Sequence, residues 1–174
     1  MHPFIEATRS TFLQGKAMAE GAMKQLNDDE EFFYCPGPRS HSIAINVKHV
    51  GGNLKSRWTS FLTSDGEKPD RNRDNEFKIS AGEDRNSIFQ IWNDGWNALE
   101  TSLLSLSDED LNRTVTIRNE PHSVYLAVQR SLSHTGHHIG QIMYLCRLFK
   151  KGEWNWLTIP PGGSRDFNRQ KMQS

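Results

Sequence analysis

Apolar residues recur at helical spacing along four stretches of the chain, which polar or turn-rich segments separate. The first stretch, residues 3–26, contains proline only at its first residue, where the opening turn of a helix tolerates it. The second follows a turn-rich segment in which Ser40 or Ser42 can cap a helix, and its apolar ridge extends over residues 43–61. These two stretches predict helix one and helix two.

The third and fourth stretches predict longer helices. Helix three carries large apolar residues at alternating spacings of three and four, namely Phe89, Trp92, Trp96, Leu99 and Leu103. Helix four is expected from about His122 to Lys150, a proline-free run that would be roughly 43 Å long at the rise of an α-helix. Between them, residues 114–123 alternate β-branched with polar side chains, which predicts either a short strand or an irregular link.

A polar segment from about Thr63 to Arg85 separates helix two from helix three and shows neither the helical nor the strand period. It is too long for a hairpin turn, so we interpret it as a crossover that lets two helices lie parallel. The sequence therefore predicts an all-α four-helix bundle with a long crossover between helices two and three. We expect a single domain over residues 1–174, in which residues 153–174 form an irregular C-terminal tail.

Composition excludes several classes of partner. The 21 Lys and Arg residues are balanced by 21 Asp and Glu residues, so the chain lacks the net positive charge of non-specific nucleic-acid binders. No run approaches the roughly 18 consecutive apolar residues that would span a bilayer. The N-terminus has no apolar signal core, and the two cysteines form neither a CxxC pair nor a disulfide framework. We therefore expect a cytoplasmic protein without nucleic-acid or membrane partners.

Two histidines of helix four stand at a chelating spacing. His134 and His138 are four residues apart, so both imidazoles project from one face of the helix and can bind one metal ion. The same face includes Ala127 and Gln141, a small residue and an amide, where a bundle core would normally place leucine. His137 projects from the other side of His134, so one ion cannot easily bind all three.

The natural third ligand is His49 on helix two. Its face carries mostly small or polar residues, namely Ser42, Ile45, Asn46, Gly52, Asn53 and Ser56. Such a face can line a pocket. Without a metal ion, His49 is instead a hydrogen-bonded bundle histidine and the helix-four histidines form a solvated patch. His2, His41 and His122 have no partner at a chelating spacing, and we interpret them as surface or capping residues.

These motifs resemble those of the DinB-like superfamily of metalloenzymes. The resemblance rests on NVKHVGGNLKSRW in helix two and LSHTGHHIGQIMYL in helix four, and it covers nearly the whole chain. Within that superfamily, FLTSDGEKPDRNRDNEF and IPPGGSRDFN resemble an uncharacterised bacterial subfamily. The resemblance implies an up-down-down-up bundle, a homodimer, and a divalent metal, nickel or zinc, held by His49, His134 and His138. It also implies a small-molecule substrate, since relatives include thiol-dependent S-transferases, a thiol-dependent isomerase and metal-dependent hydrolases.

Three neutral imidazoles would leave a divalent ion with an open coordination position, as in catalytic zinc sites. A bound water would supply hydroxide for hydrolysis, whereas a bound low-molecular-weight thiol would supply thiolate for attack on an electrophile. Hydrolases of the HExxH type carry a carboxylate on the ligand helix, but residues 135–137 are Thr, Gly and His. This absence favours a thiol-dependent S-transferase. The alternatives are a metal-dependent hydrolase and a non-enzymatic metal- or ligand-binding stress-response module.

Two amides and a group of basic residues are further candidates for the functional site. Gln141 and Asn53 can hydrogen-bond either a metal-ligating imidazole or a bound ligand, or can simply link helices. Basic residues of helix two and the crossover can attract a carboxylated thiol or can belong to a solvated loop: Arg57, Lys68, Arg71 and Arg73. Neither Cys35 nor Cys146 lies in an electropositive motif, so we expect both to be structural.

Overall fold

A computed structural model describes residues 2–172, and within that range the protein is predominantly helical. Seven α-helices are described: α1 Pro3–Met23, α2 Asp29–Phe33, α3 Ile43–Trp58, α4 Arg73–Glu76, α5 Arg85–Ser105, α6 Val124–Phe149 and α7 Ser164–Met172. A single hairpin in the same range consists of β1 Thr114–Ile117 and β2 Glu120–Ser123. The predicted helical class is confirmed. No helix within residues 2–172 has both the length and the apolar content needed to cross a membrane.

Side-chain caps define where the long helices begin. The Oγ of Ser42 accepts a hydrogen bond from the backbone N–H of Ile45 at 3.1 Å, so Ser42 rather than Ser40 caps α3. His2 caps α1 by accepting from the N–H of Phe4 at 3.1 Å. The capping interpretation of His2 is thus confirmed.

The long helices bury their apolar ridges in one core. Helix α3 packs against both α5 and α6, and α1 packs mainly against α6. Phe12 meets Trp58 and Trp96 edge-on, with ring centroids 6.2 Å apart in both pairs. Helices α3 and α5 approach closely at Gly51 and Gly95, where either glycine's Cβ would collide with the facing backbone. This close approach holds α3, which carries His49, firmly against its neighbour.

Residues 114–123 form a β-hairpin. Of the two alternatives predicted for this segment, the short strand is therefore confirmed and the irregular link is wrong. Thr114 pairs with Ser123 and Ile117 with Glu120 in antiparallel register. The turn residues Arg118 and Asn119 both have positive φ, at 57° and 60°. Helix four, predicted from about His122, is α6 and begins two residues later at Val124, because His122 pairs with β1.

The crossover folds back over α3 instead of extending into solvent. The Oγ of Ser56 donates to the carbonyl of Gly66 at 2.9 Å and accepts from the N–H of Lys68 at 3.1 Å. Further along, the ammonium of Lys48 donates to the carbonyl of Lys78 at 2.8 Å. These bonds hold the one-turn helix α4 beside the buried middle of α3.

The C-terminal tail is more regular than predicted, because residues 164–172 form helix α7. Before α7, the tail lies on the core: the N–H of Asn155 donates to the Gln25 side chain at 2.8 Å, and Trp154 packs partly buried against the apolar cluster. Trp156 remains 44% exposed, with the guanidinium of Arg147 over its ring.

Candidate metal centre

The three predicted histidines lie together between α3 and α6. One nitrogen from each of His49, His134 and His138 lies within 4.8 Å of the others, close enough to hold one metal ion. His49 is buried in the middle of α3, and His134 and His138 face it from successive turns of α6. The tertiary structure thus brings His49 of α3, the predicted helix two, next to the HxxxH pair of α6.

The outer nitrogens of two of these imidazoles are held by acceptors. The Nδ1–H of His49 donates to Oε2 of Glu76 at 2.7 Å, so the Nε2 of His49 keeps its lone pair. The Nδ1–H of His138 donates to Oδ1 of Asn46 at 3.1 Å. Asn46 is oriented for this role because its own amide N–H donates to the carbonyl of Ser42 at 2.9 Å. Metal-binding histidines are commonly fixed in this way.

The spacing of the facing nitrogens fits a small divalent ion. The Nε2 atoms of His49 and His134 are 3.3 Å apart. Two nitrogens bound at about 2.0–2.1 Å to one tetrahedral zinc ion would be separated by about 3.3 Å. The Nδ1 of His134 is buried without a hydrogen-bond partner in the described chain, so contacts within the protein leave this ring only partly satisfied.

The environment keeps His134 and His138 in the neutral form that binds metals. Burial lowers the pKa of His134 to about 3, and the neighbouring side chains of His138, His49, Arg57 and Arg71 lower it further by opposing its protonation. Burial also lowers the pKa of His138 to about 4, with His49 contributing and a hydrogen bond to Gln141 opposing. Both imidazoles are therefore unprotonated near neutral pH.

A carboxylate that was not singled out in the sequence links His49 to the crossover. Glu76, at the end of α4, accepts two hydrogen bonds from the guanidinium of Arg71, each 2.8 Å long, in addition to the one from His49. Burial raises the pKa of Glu76, but the hydrogen bonds from His49 and Arg71 lower it more, so the net pKa lies below its usual value. Glu76 is therefore an ionised partner on the outer side of His49.

A cavity of about 190 Å³ opens beside His49 and His134. Its remaining lining residues come from α3, α4, the hairpin and α6: Asn53, Arg57, Arg73, Ile117, Arg118, Ala127, Arg130 and Ser131. Asn53 thus lines the cavity, whereas Gln141 lies by His138 in a separate recess next to Asn46. Of the basic candidates, Arg57 and Arg73 reach the cavity. Arg71 is engaged by Glu76 and Glu67, and Lys68 donates to the carbonyl of Asp65.

The histidines and cysteines outside the candidate centre differ in burial and in their contacts. His137 is exposed and does not join the cluster, as predicted. His122 is buried, which contradicts its interpretation as a surface or capping residue, and it accepts a hydrogen bond from Arg130 at 2.8 Å. Cys146 is buried, and burial raises its pKa to about 12, so it is no nucleophile at neutral pH. Cys35 is exposed in the loop before α3.

Sequence reasoning missed Glu76, Asn46 as a histidine partner, and Arg130. The signal for Glu76 was the neighbouring Phe77, the one aromatic residue in the mostly polar sequence of the crossover. Phe77 packs on the imidazole of His49 with ring centroids 4.5 Å apart, and so anchors the end of α4 at the centre. A single aromatic residue in a long, mostly polar loop can mark such an anchor.

The chain is similar to a known protein family. The family model described as "Protein of unknown function (DUF1572)" matches residues 1–163. The chain belongs to this family. The DUF1572 match contains the three histidines, Glu76 and every residue that lines the cavity. No curated protein and no solved structure gives a significant match to the chain.

Proposed function

We propose that this DUF1572 protein is a DinB-like, divalent-metal-dependent enzyme that joins a low-molecular-weight thiol to a small electrophile. In this proposal the long helices follow the up-down-down-up order, and nickel or zinc is held by His49, His134 and His138. The observation that carries the proposal is the convergence of three imidazoles from two helices beside an open cavity. When bound, the ion supplies Lewis-acid chemistry that lowers the pKa of a thiol toward neutrality.

The protein's own groups would prepare this site before any ligand enters. Glu76 and Asn46 hold the Nδ1 protons of His49 and His138, which leaves both Nε2 lone pairs available. Arg71 holds Glu76 in turn, so the orientation of His49 is set by buried, charge-assisted hydrogen bonds. Asn53 lines the cavity and is a candidate to hydrogen-bond the bound thiol or electrophile.

The residues that line the cavity favour thiol chemistry over hydrolysis. None of the described residues that line it is Asp or Glu, and Glu76 lies behind His49, already bound to two partners. A hydrolase needs a base beside the attacking water, whereas a thiol, with its lower pKa, needs less help to form its anion. In S-transfer the thiol sulfur would bond to the electrophilic carbon, the leaving group would depart with the bonding electrons, and the thiol proton would pass to solvent.

Metal content tests the ligand set. Protein purified without a nickel column should bind one divalent ion per chain, and His134→Ala should lose tight binding. His137→Ala is the matched control, because His137 is exposed on the same helix outside the cluster. Full metal content in His134→Ala together with loss in His137→Ala would show the assignment to be wrong.

Turnover assays test the reaction. Thiols combined with chlorodinitrobenzene or monochlorobimane should form conjugates only with metal-loaded protein, and His138→Ala should abolish this activity. Cys35→Ser and Cys146→Ser should retain it, because the attacking sulfur belongs to the cosubstrate. Metal-dependent ester hydrolysis without conjugation would establish the hydrolase alternative, and metal binding with no turnover of either kind would establish a non-enzymatic binding module.

A further inference from the structure

We propose that the cavity beside His49 and His134 binds a small molecule through a carboxylate or phosphate group, which Arg73 and Arg130 hold. This inference deepens the proposed function, on which it rests for the chemistry, because it names the class of molecule that reacts at the centre. The binding step itself can be tested without metal.

Arginines dominate the charge of the cavity. Four of its described lining residues are arginines, from four different parts of the fold: Arg57 of α3, Arg73 of α4, Arg118 of the hairpin turn and Arg130 of α6. No carboxylate accompanies them in that lining. Four cations around one recess repel one another, and an anion bound there would relieve this repulsion.

Arg73 and Arg130 have no acidic partner among residues 2–172. The guanidinium of Arg73 lies over the ring of Phe77, 4.9 Å from its centroid. Arg130 donates to the Nε2 of His122 at 2.8 Å, and His122 donates its Nδ1–H to the carbonyl of Glu120 at 2.9 Å. Because a histidine carries no negative charge, His122 positions Arg130 without neutralising it, and the charge of Arg130 remains available to a ligand.

Arg57 and Arg118 are only partly neutralised. Both lie near Glu67, with Arg57 Nη2 at 3.1 Å and Arg118 Nε at 3.2 Å, and Arg71 shares the same carboxylate. The Nη1 of Arg57 is buried and has no hydrogen-bond partner in the described chain. Burial lowers the pKa of Arg57, and the charges of Arg71 and Arg118 lower it further against the opposing effect of Glu67. The cavity therefore has excess positive charge.

The size and position of the cavity define the ligand. Its volume of about 190 Å³ is smaller than the roughly 300–1,000 Å³ of pockets for drug-sized molecules. Arginine guanidinium groups match the planar geometry of carboxylates and the oxygens of phosphates. Because the same recess is lined by His49 and His134, a small molecule anchored by its anionic group would have its other end beside the metal-binding nitrogens.

Calorimetric titration with succinate, with inorganic phosphate and with neutral succinamide tests the inference. Full-length protein is used both metal-loaded and metal-free, since a carboxylate can also ligate the metal directly. We expect succinate or phosphate, but not succinamide, to bind both forms. Arg73→Gln and Arg130→Gln should each weaken that binding roughly tenfold, because each removes a charge-assisted hydrogen-bond donor. Arg113→Gln is the matched control, since Arg113 is half exposed, paired with Asp110 and outside the cavity.

The two anions identify the group: tighter binding of succinate assigns a carboxylate, and tighter binding of phosphate assigns a phosphate. Absence of anion binding, equal binding of succinamide, or equal affinity in wild type and both arginine variants would overturn the inference. Metal content measured on the same samples separates it from the proposed function. Arginine-dependent anion binding without metal binding would support this inference and overturn the metal-dependent function, whereas metal binding without anion binding would do the reverse.

Discussion

The carboxylate of Glu76 lies 2.7 Å from the Nδ1 of His49, on the side of the imidazole opposite the nitrogen that faces His134. Both side chains are buried, at 9% and 3% exposure. A carboxylate can only accept here, so His49 is held as the tautomer whose Nε2 is free to bind a metal. Because Arg71 forms an ion pair with the same carboxylate, the crossover and α3 are joined at the candidate centre.

Glu76→Gln should weaken metal binding by about 10- to 100-fold, the usual effect of removing a partner of a metal-binding histidine. Glutamine can still accept the Nδ1–H, but it carries no charge to strengthen the bond or to balance Arg71. The affinity for zinc would be measured by competition with a chromophoric chelator. Glu120→Gln, on the exposed side of the hairpin, is the control and should match wild type. Equal affinities in both variants would contradict a role for Glu76.

Gly51→Ala should destabilise the metal-free protein by about 1–3 kcal/mol, as overpacking of a tight interface does. A Cβ on Gly51 would lie 2.5 Å from the carbonyl oxygen of Ile91, a backbone atom that cannot rotate away. The free energy of unfolding would be obtained from urea denaturation. Gly140→Ala is the opposite case, because no described atom beyond the adjacent residues and the backbone of its own helix lies within 4 Å of its Cβ position, and alanine should stabilise α6 by up to about 1 kcal/mol. A Gly51→Ala variant as stable as wild type would contradict the tight packing of α3 on α5.

Asp65 should make the hairpin sensitive to acid. Burial raises its pKa, but hydrogen bonds from the backbone of Asn119, Glu67 and Arg118 lower it more, from 3.8 to about 2. The folded state therefore favours the ionised form. This contribution to stability is complete above about pH 4 and is lost as the pH falls toward about 2, because the unfolded chain binds the proton first.

The Asp65→Asn variant isolates this contribution. Its free energy of unfolding should be lower than that of wild type at pH 7, and the difference should shrink as the pH falls from about 4 toward 2. Asp70→Asn is the matched control, since Asp70 is exposed in the same loop. A difference between wild type and Asp65→Asn that stays constant over this pH range would argue against the ionised Asp65 as the anchor of the turn.

We propose that two copies of the chain associate, as the resemblance to DinB-like proteins implies. Several large apolar side chains of α6 and the tail are about half exposed: Leu126, Tyr144, Leu148 and Trp156. Burial of such a surface commonly accompanies self-association. Small-angle scattering at micromolar concentration should give about twice the 20.0 kDa of one chain. A mass near that of one chain would exclude the homodimer.

Local pattern alone predicted much of the helical framework. The apolar ridges placed all four long helices, and Ser42 was one of two serines proposed as the cap of α3, because helical periodicity and capping involve residues only a few positions apart. For the same reason the spacing of His134 and His138 placed them on one face of α6. The hairpin, the later start of α6 and helix α7 were harder to predict from the sequence. Short segments depend on strand pairing and packing more than on the periodicity of their apolar residues.

The sequence by itself determined the long helices and the histidine pair that α6 presents. The small and polar residues on its helix face indicated His49 as the third ligand, but only the tertiary structure brought it to His134, across 85 positions, and set Glu76 behind it, across 27. The gathering of Arg73 and Arg130 around one cavity also depended on the folded crossover and hairpin. Contacts between distant positions follow from how helices and loops pack in three dimensions, and that packing leaves no fixed spacing in the chain.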